Sequence, residues 1–160
     1  MKTFILLILF SICLPGPRKP SGSSPTGLMV EFIRETQKVL IRDPKPEFSW
    51  IVPDVAGKQT AYQIRVSSSE ELLERNIGDL WNGLKTAGSQ STEVEYSGAA
   101  LPANSLCHWK VRIWDKRSNP SPWSAVQSFR TGTFDDYCTT ANSLVETEIR
   151  PETVTRTGND

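Results

Sequence analysis

The chain has 160 residues, which is enough for one domain of ordinary size with flanking segments. Its 18 Lys and Arg residues balance 18 Asp and Glu residues, so the formal net charge is zero and no overall field attracts a polyanion or an anionic membrane. The charge balance therefore argues against nucleic acid as a partner. Hydrophobic residues make up 38% of the chain, which suffices for one core without help from disulfides.

A secretory signal peptide and a tether are predicted for residues 1–22. Lys2 precedes an apolar run of 11 residues, 4–14. This run is too short to cross a hydrocarbon layer of about 30 Å as a helix, but it fits the apolar part of an export signal. No clean cleavage site of small residues follows, so the sequence leaves the cut site open. We expect a secreted, periplasmic or cell-surface protein.

The three cysteines raise separate questions. Cys13 closes the apolar run and is a candidate lipid anchor, although the bulky Ile12 before it is unusual for a lipoprotein. Cys107 lies in a predicted strand and Cys138 lies beyond the last one. Export makes a disulfide between them chemically feasible, while a buried thiol and a loop thiol are the favoured interpretation. Neither belongs to a metal-ligand spacing, and no cofactor or metal site is predicted.

Alternation of apolar and polar side chains predicts seven short strands between residues 28 and 131. The predicted strands are 28–32, 47–52, 60–67, a short edge strand within 78–85, 93–96, 108–115 and 123–129. Ser69 can cap one short helix over residues 69–75. This spacing favours an all-β, seven-stranded sandwich of the immunoglobulin or fibronectin type III-like kind over residues 27–133. Residues 134–160 lose apolar periodicity and are interpreted as a linker or disordered tail.

Two segments resemble the fibronectin type III family in particular. Phe48-Ser49-Trp50 resembles the second strand of that family with its core tryptophan. Leu101-Pro102, followed by the strand that holds Trp109, resembles the sixth. The tyrosine expected near the start of the sixth strand is replaced by Cys107. The resemblance therefore implies that the usual hydrogen bond from a tyrosine hydroxyl to the backbone is missing at this corner.

A closer resemblance covers residues 27–133, in order and with similar gaps. These segments resemble the N-terminal fibronectin-type sandwich of secreted bacterial α-L-rhamnosidases: 46–50, 59–66, 78–82, 109–115 and 123–124. The most specific are Q-T-A-Y at 59–62 and W-K-V-R-I-W-D at 109–115. The resemblance implies a non-catalytic accessory module that supports or orients a catalytic region. Residues 145–151 are weakly similar to the link into the next domain.

The same resemblance implies a much longer parent enzyme, an inverting glycoside hydrolase. Its catalytic acids lie in a later helical barrel, and the present chain ends at Asp160. We therefore carry over no catalytic residue and expect no enzymatic activity from this chain alone. The implied partners are further domains of a rhamnosidase, or carbohydrate.

The carboxylates do not suggest a catalytic pair of their own. An inverting glycosidase needs two carboxyl groups about 6.5–9.5 Å apart. The candidates are Asp135-Asp136 in a terminal loop, Glu70-Glu71 at the helix start, and Glu93 with Glu95 on a solvent face. The single histidine, His108, falls on an outward strand position with no nucleophile motif nearby. A residual hydrolase is the least favoured of three hypotheses.

Strand parity separates the tryptophans. Trp50 and Trp109 are predicted core residues, and Trp81 is expected to cover the core from an edge strand. Trp114 shares parity with Arg112, so we expect it on the outer face and exposed.

Across the hairpin, Trp123 is expected to stack on Arg112 as a cation–π pair. Trp114, Trp123 and Arg112 are therefore the candidate contact residues, either for sugar or for another domain. Their use as a sugar-stacking platform defines the alternative function, a free-standing carbohydrate-binding or adhesion module.

Overall fold

The structure is a computed structural model that describes residues 22–134. Interpretations of the signal peptide, Cys13, Asp135-Asp136, Cys138 and the tail from residue 135 concern parts of the chain outside this range. Nine strands are described: β1 (Thr26–Val30), β2 (Leu40–Ile41), β3 (Glu47–Ile51), β4 (Ala61–Ser67), β5 (Trp81–Asn82), β6 (Thr86–Ala87), β7 (Val94–Glu95), β8 (Leu106–Trp114) and β9 (Gln127–Thr131). One short helix, α1 (Glu70–Glu74), and a 3-10 turn (Asp54–Ala56) complete the elements of this range.

The strands form two sheets that enclose one core. One sheet has three antiparallel strands in the order β1-β3-β7. The other has the order β2-β9-β8-β4-β5, with β6 also paired to β4, and only β2 and β9 run parallel. The predicted all-β sandwich is confirmed. The strands β2 and β6 were not predicted, because two residues are too few to show a periodicity.

Alternate residues of the long strands fill the space between the sheets, as the period of a half-buried strand requires. Trp50 and Trp109 are both buried there, as predicted, and Phe48 packs against Trp109 with ring centroids 4.7 Å apart. Trp81 covers this core from β5, 6.1 Å from the Phe48 ring. Cys107 is fully buried as a free thiol, and burial raises its pKa to about 11.

A tyrosine hydroxyl does hold the chain next to this core. Tyr96 is buried, and its hydroxyl lies 2.6 Å from the carbonyl oxygen of Ala99 and 2.9 Å from that of Leu80. Although Cys107 replaces the expected tyrosine of the sixth strand, Tyr96 ties the 96–99 turn to the segment before β5. Burial raises the pKa of Tyr96 to about 12.

The predicted helix α1 is present and short. The Ser69 hydroxyl accepts a hydrogen bond from the Leu72 N–H at 3.4 Å, which confirms the expected cap. Leu73 is the buried residue of this helix. Within residues 22–134, no helix is long and apolar enough to cross a membrane.

Candidate functional site

The outer face of the six-stranded sheet carries the three candidate residues. In the β4–β8 pair, Gln63 lies opposite Arg112 and Arg65 lies opposite Lys110. These positions alternate with the core residues of the same strands, so their side chains leave the sheet on the side away from the core. Two aromatic and four cationic side chains meet there, and we call this cluster the ladder: Arg65, Lys85, Lys110, Arg112, Trp114 and Trp123.

Trp123 reaches the ladder from a segment that replaces a regular strand. Ser121 donates its N–H to the Ile113 carbonyl at 2.8 Å and accepts the Ile113 N–H on its hydroxyl at 3.1 Å. Ser124 makes the same pair of bonds with Val111, also at 2.8 and 3.1 Å. Along this part of β8, serine hydroxyls therefore accept the backbone N–H groups that the carbonyls of a neighbouring strand would otherwise accept. For this reason the last strand begins at Gln127 and not at Trp123 as predicted.

Three cations surround the Trp123 ring. The distances from its centroid are 4.7 Å to Arg112, 4.9 Å to Lys110 and 5.1 Å to Arg65. The predicted contact between Trp123 and Arg112 is therefore confirmed. Arg112 also lies 4.9 Å from the Trp114 ring, so its guanidinium contacts both indoles. Lys85 lies 4.8 Å from the Trp114 ring and extends the ladder at that end.

Trp114 was expected to be exposed, and this prediction is wrong. Its position on the outer face was predicted from strand parity, but only 8% of its surface is exposed. Arg112 and Lys85 pack on the ring and shield it, as long cationic side chains do along aromatic surfaces. Trp114 is therefore not an open platform for a sugar ring. Trp123 keeps part of its surface in contact with solvent.

Hydrogen bonds fix the cations in place. Lys110 donates from Nζ to the Leu73 carbonyl and, at 2.9 Å, to Asn76 Oδ1, which ties the end of α1 to the sheet. Arg65 donates from Nη1 to the Asn76 carbonyl. Arg112 donates from Nε to Gln63 Oε1 at 2.8 Å. Arg65 Nε is buried and has no hydrogen-bond partner among the described residues.

The cations of the ladder form no ion pair with a carboxylate of residues 22–134, although Glu74 lies near enough to Lys110 to oppose the lowering of its pKa. Of the residues that the structure describes, no Asp or Glu lies within 4 Å of a charged nitrogen of the ladder. Burial, followed by repulsion from Arg65 and Arg112, lowers the pKa of Lys110. Burial and then Arg65 lower the pKa of Arg112 in the same direction. The packing against indole rings compensates for part of this repulsion.

A known family model matches the part of the chain that forms the sandwich and the ladder. A family model described as the Rha78A-like, N-terminal immunoglobulin domain matches residues 25–135. The chain belongs to this family. The match spans both sheets and every residue of the ladder.

This immunoglobulin domain is similar to one end of much larger proteins. An α-L-rhamnosidase of Formosa agariphila is 39% identical over 104 residues, which is 64% of this chain and 11% of that protein. An α-L-rhamnosidase of Streptomyces avermitilis is 36% identical over 89 residues, or 54% of this chain and 8% of that protein. The chain thus spans about a tenth of the length of these curated relatives.

A solved structure agrees with this assignment. The structure of an α-L-rhamnosidase from Dictyoglumus thermophilum has a TM-score of 0.63 and 38% sequence identity, and the match covers 69% of this chain and 12% of that one. The similarity is confined to the region of the immunoglobulin domain. It therefore supports the fold and family of this module and leaves the rest of the larger enzyme outside the comparison.

The other candidate residues of the immunoglobulin domain do not converge on the ladder. Glu70 and Glu71 lie in the first turn of α1, where the backbone N–H of Glu71 and then the Ser69 hydroxyl lower the pKa of Glu71. Glu93 and Glu95 are exposed near β7, on the other sheet. His108 lies on the outer face opposite Ser67. Within residues 22–134, no group of three potential metal ligands comes together.

Arg65, Lys85 and Lys110 belong to the ladder but were not among the contact residues expected from the sequence. Lys110 carried a usable signal, because it lies between Trp109 and Val111 in a predicted strand. Arg65 carried a usable signal, because it alternates with Ile64 and Val66 in a strand predicted to have one polar face. Lys85 carried none, since it follows a two-residue strand and reaches Trp114 only through the fold.

Proposed function

We propose that this chain is a non-catalytic accessory module of a secreted α-L-rhamnosidase of the inverting type, which supports or orients a catalytic region outside the module. The observation that carries the proposal is the extent of the similarity. The family match covers the whole sandwich, yet the chain aligns with only about a tenth of the Formosa agariphila and Streptomyces avermitilis enzymes. A region of that size, folded as a separate sandwich, has the properties of an accessory domain.

The arrangement of the carboxylates supports a non-catalytic role. Inverting hydrolysis requires two carboxyl groups that face each other across a water molecule. Glu70 and Glu71 start a helix, and Glu93 and Glu95 are spread over a solvent-exposed edge. Glu95 lines a recess with Lys45 and Tyr96, but Glu93 is not part of its lining, so this pair does not face each other across it.

A domain exchange tests the supporting role. The corresponding N-terminal domain of the Dictyoglumus thermophilum rhamnosidase is replaced by residues 25–135 of this chain, and a second variant lacks that domain altogether. We expect the exchanged enzyme to keep most of its activity and thermal stability, and the deletion variant to lose them. Equal behaviour of the two variants would contradict a supporting role. Release of rhamnose by the present chain alone would contradict the non-catalytic assignment.

Export and anchoring form a separate part of the proposal. We infer from the apolar run after Lys2 that the protein is exported, and from Cys13 that it is a candidate for a lipid anchor. Cell fractionation with metabolic labelling by a fatty acid tests both steps. Labelling that disappears in Cys13→Ser supports the anchor, whereas retention of the protein in the cytoplasm contradicts export.

A further inference from the structure

We propose that the ladder binds an acidic saccharide, in which a pyranose ring carrying a carboxylate or sulfate group lies against Trp123. Its oxyanion is held by Arg112 and Arg65, the two guanidinium groups that contact this ring, while Lys85 adds positive charge at the Trp114 end of the ladder. This inference goes beyond the accessory role, because it concerns a ligand of this chain itself and requires no catalytic region.

The cations of the ladder have little compensating negative charge around them. The chain is neutral as a whole, and of the described carboxylates only Glu74 acts measurably on a ladder cation, Lys110. Four cations of the ladder share one face, and no carboxylate lies within 4 Å of them in the described part of the chain. Glu31, Glu47 and Glu95 gather instead on the three-stranded sheet. An anion at the ladder would supply the missing counter-charge.

The Arg112 side chain is held in one position before any ligand binds. Its guanidinium contacts the Trp114 and Trp123 rings, and its Nε is held by Gln63. Because the donors of a guanidinium lie in its plane, contacts with the ring faces leave the terminal nitrogens free to bind. No residue within 22–134 accepts a hydrogen bond from these terminal nitrogens. A side chain fixed in this way loses little conformational freedom when it binds a carboxylate or sulfate in a bidentate manner.

The ladder combines an aromatic ring with cationic side chains at Trp123. Trp123 is partly exposed beside three cations, so an indole surface and hydrogen-bond donors are available within one small area. The C–H faces of a pyranose ring pack on flat aromatic groups, while its oxyanion requires donors. An acidic peptide needs only the donors. The composition of the ladder therefore favours a saccharide over an acidic polypeptide.

The test measures binding by the full chain at low ionic strength, with tryptophan fluorescence and calorimetry as independent readouts. The probes are tetragalacturonic acid for the carboxylate, a κ-carrageenan tetrasaccharide for the sulfate, neutral galactotetraose, and poly-glutamate. We expect one or both acidic saccharides to bind, the neutral saccharide to bind at least about tenfold more weakly, and added salt to weaken binding.

Three variants locate the site. Lys85→Gln changes an exposed residue and should weaken binding severalfold without affecting the fold. Arg112→Lys keeps the charge but removes the planar donors, and should weaken binding about tenfold, the size of one charge-assisted hydrogen bond. Lys45→Gln is the matched control, because Lys45 pairs with Glu95 on the opposite sheet, and it should leave affinity unchanged.

Several results would overturn the proposal. They are the absence of binding by either acidic saccharide at millimolar concentration, equal binding of galactotetraose, tighter binding of poly-glutamate than of both acidic saccharides, and affinities that neither Lys85→Gln nor Arg112→Lys alters. Circular dichroism of each variant separates loss of the site from loss of the fold.

Discussion

Each outer face of the sandwich carries a group of like charges, and the two faces surround these charges differently. On the six-stranded sheet, cations are packed between indole rings and held by hydrogen bonds, so a second layer of side chains covers the strands. On the three-stranded sheet, carboxylates stand side by side with little cover. Glu47 lies opposite Glu95, and the Glu47 N–H donates to Glu31 Oε1 at 2.7 Å.

Comparison of the two faces shows how packing against indole rings accommodates neighbouring charges of the same sign. Loss of hydration, followed by repulsion from Glu31 and Glu93, raises the pKa of Glu47 on the uncovered face. On the ladder, burial and mutual repulsion lower the pKa of Lys110 and Arg112, yet each of these cations contacts at least one indole. The covered face therefore depends on specific packing, whereas the uncovered face depends on solvent and salt.

Removal of the core that both faces share should have the largest effect. Trp109→Ala deletes a fully buried indole that contacts Phe48. We expect it to lower the free energy of unfolding by about 3–5 kcal/mol, since a large cavity remains. Urea unfolding followed by circular dichroism measures the change. A loss below about 1 kcal/mol would mean that the faces do not depend on this core.

Loss of one serine should break the cover of the six-stranded sheet alone. Ser124→Ala removes the acceptor of the buried Val111 N–H and should cost about 1–3 kcal/mol of unfolding free energy, the penalty for an unpaired buried donor. Ser97→Ala, at an exposed position after β7, is the matched control and should be neutral within error. Equal stability of the two variants would show that the hydrogen bond from the Val111 N–H to the Ser124 hydroxyl is dispensable.

Alkaline pH should destabilise the core through two buried acids. Burial raises the pKa of Cys107 in the folded state to about 11, above the ordinary value of 9.0 for a solvated thiol. The unfolded state therefore releases its proton first, and stability falls as pH rises from 9 to 11. Tyr96, with a pKa of about 12, extends the loss above pH 10. The Cys107 part amounts to about 2 kcal/mol at pH 11. Cys107→Ala should flatten the pH dependence of urea unfolding between pH 9 and 11; an unchanged slope would contradict the shift.

Features that follow from the alternation of residues along one strand could be predicted from the sequence. Contacts that depend on how separate segments come together could not. The core positions of Trp50 and Trp109 and the contact between Arg112 and Trp123 followed from alternation and hairpin geometry. The burial of Trp114 did not, because it depends on Lys85, which arrives from β5 through tertiary structure. The serine hydrogen bonds before β9 were missed because serine and proline usually indicate a loop.

The exposed end of the ladder should contribute little to stability. Lys85 contacts the Trp114 ring at a solvent-exposed position, where a cation–π pair contributes about 0.5–1 kcal/mol. Lys85→Gln should lower the free energy of unfolding by no more than this amount, as measured by urea unfolding. Lys58→Gln, at another exposed position, gives the reference. A larger loss would mean that Lys85 has a structural role, and binding data for Lys85→Gln would then need the same correction.

The smallest effect, and the one opposite in sign, is expected on the uncovered face. Glu47→Gln removes one of a group of like charges and should raise the melting temperature slightly at pH 7 and low salt. Because the folded pKa of Glu47 is raised, its ionisation opposes folding, and this cost disappears as pH falls and the carboxyl becomes protonated. The gain should therefore vanish at acidic pH and become smaller in high salt, which screens the repulsion but not the loss of hydration. A gain that persists undiminished at acidic pH would indicate a packing effect, and the two faces would then differ in something other than exposure of charge.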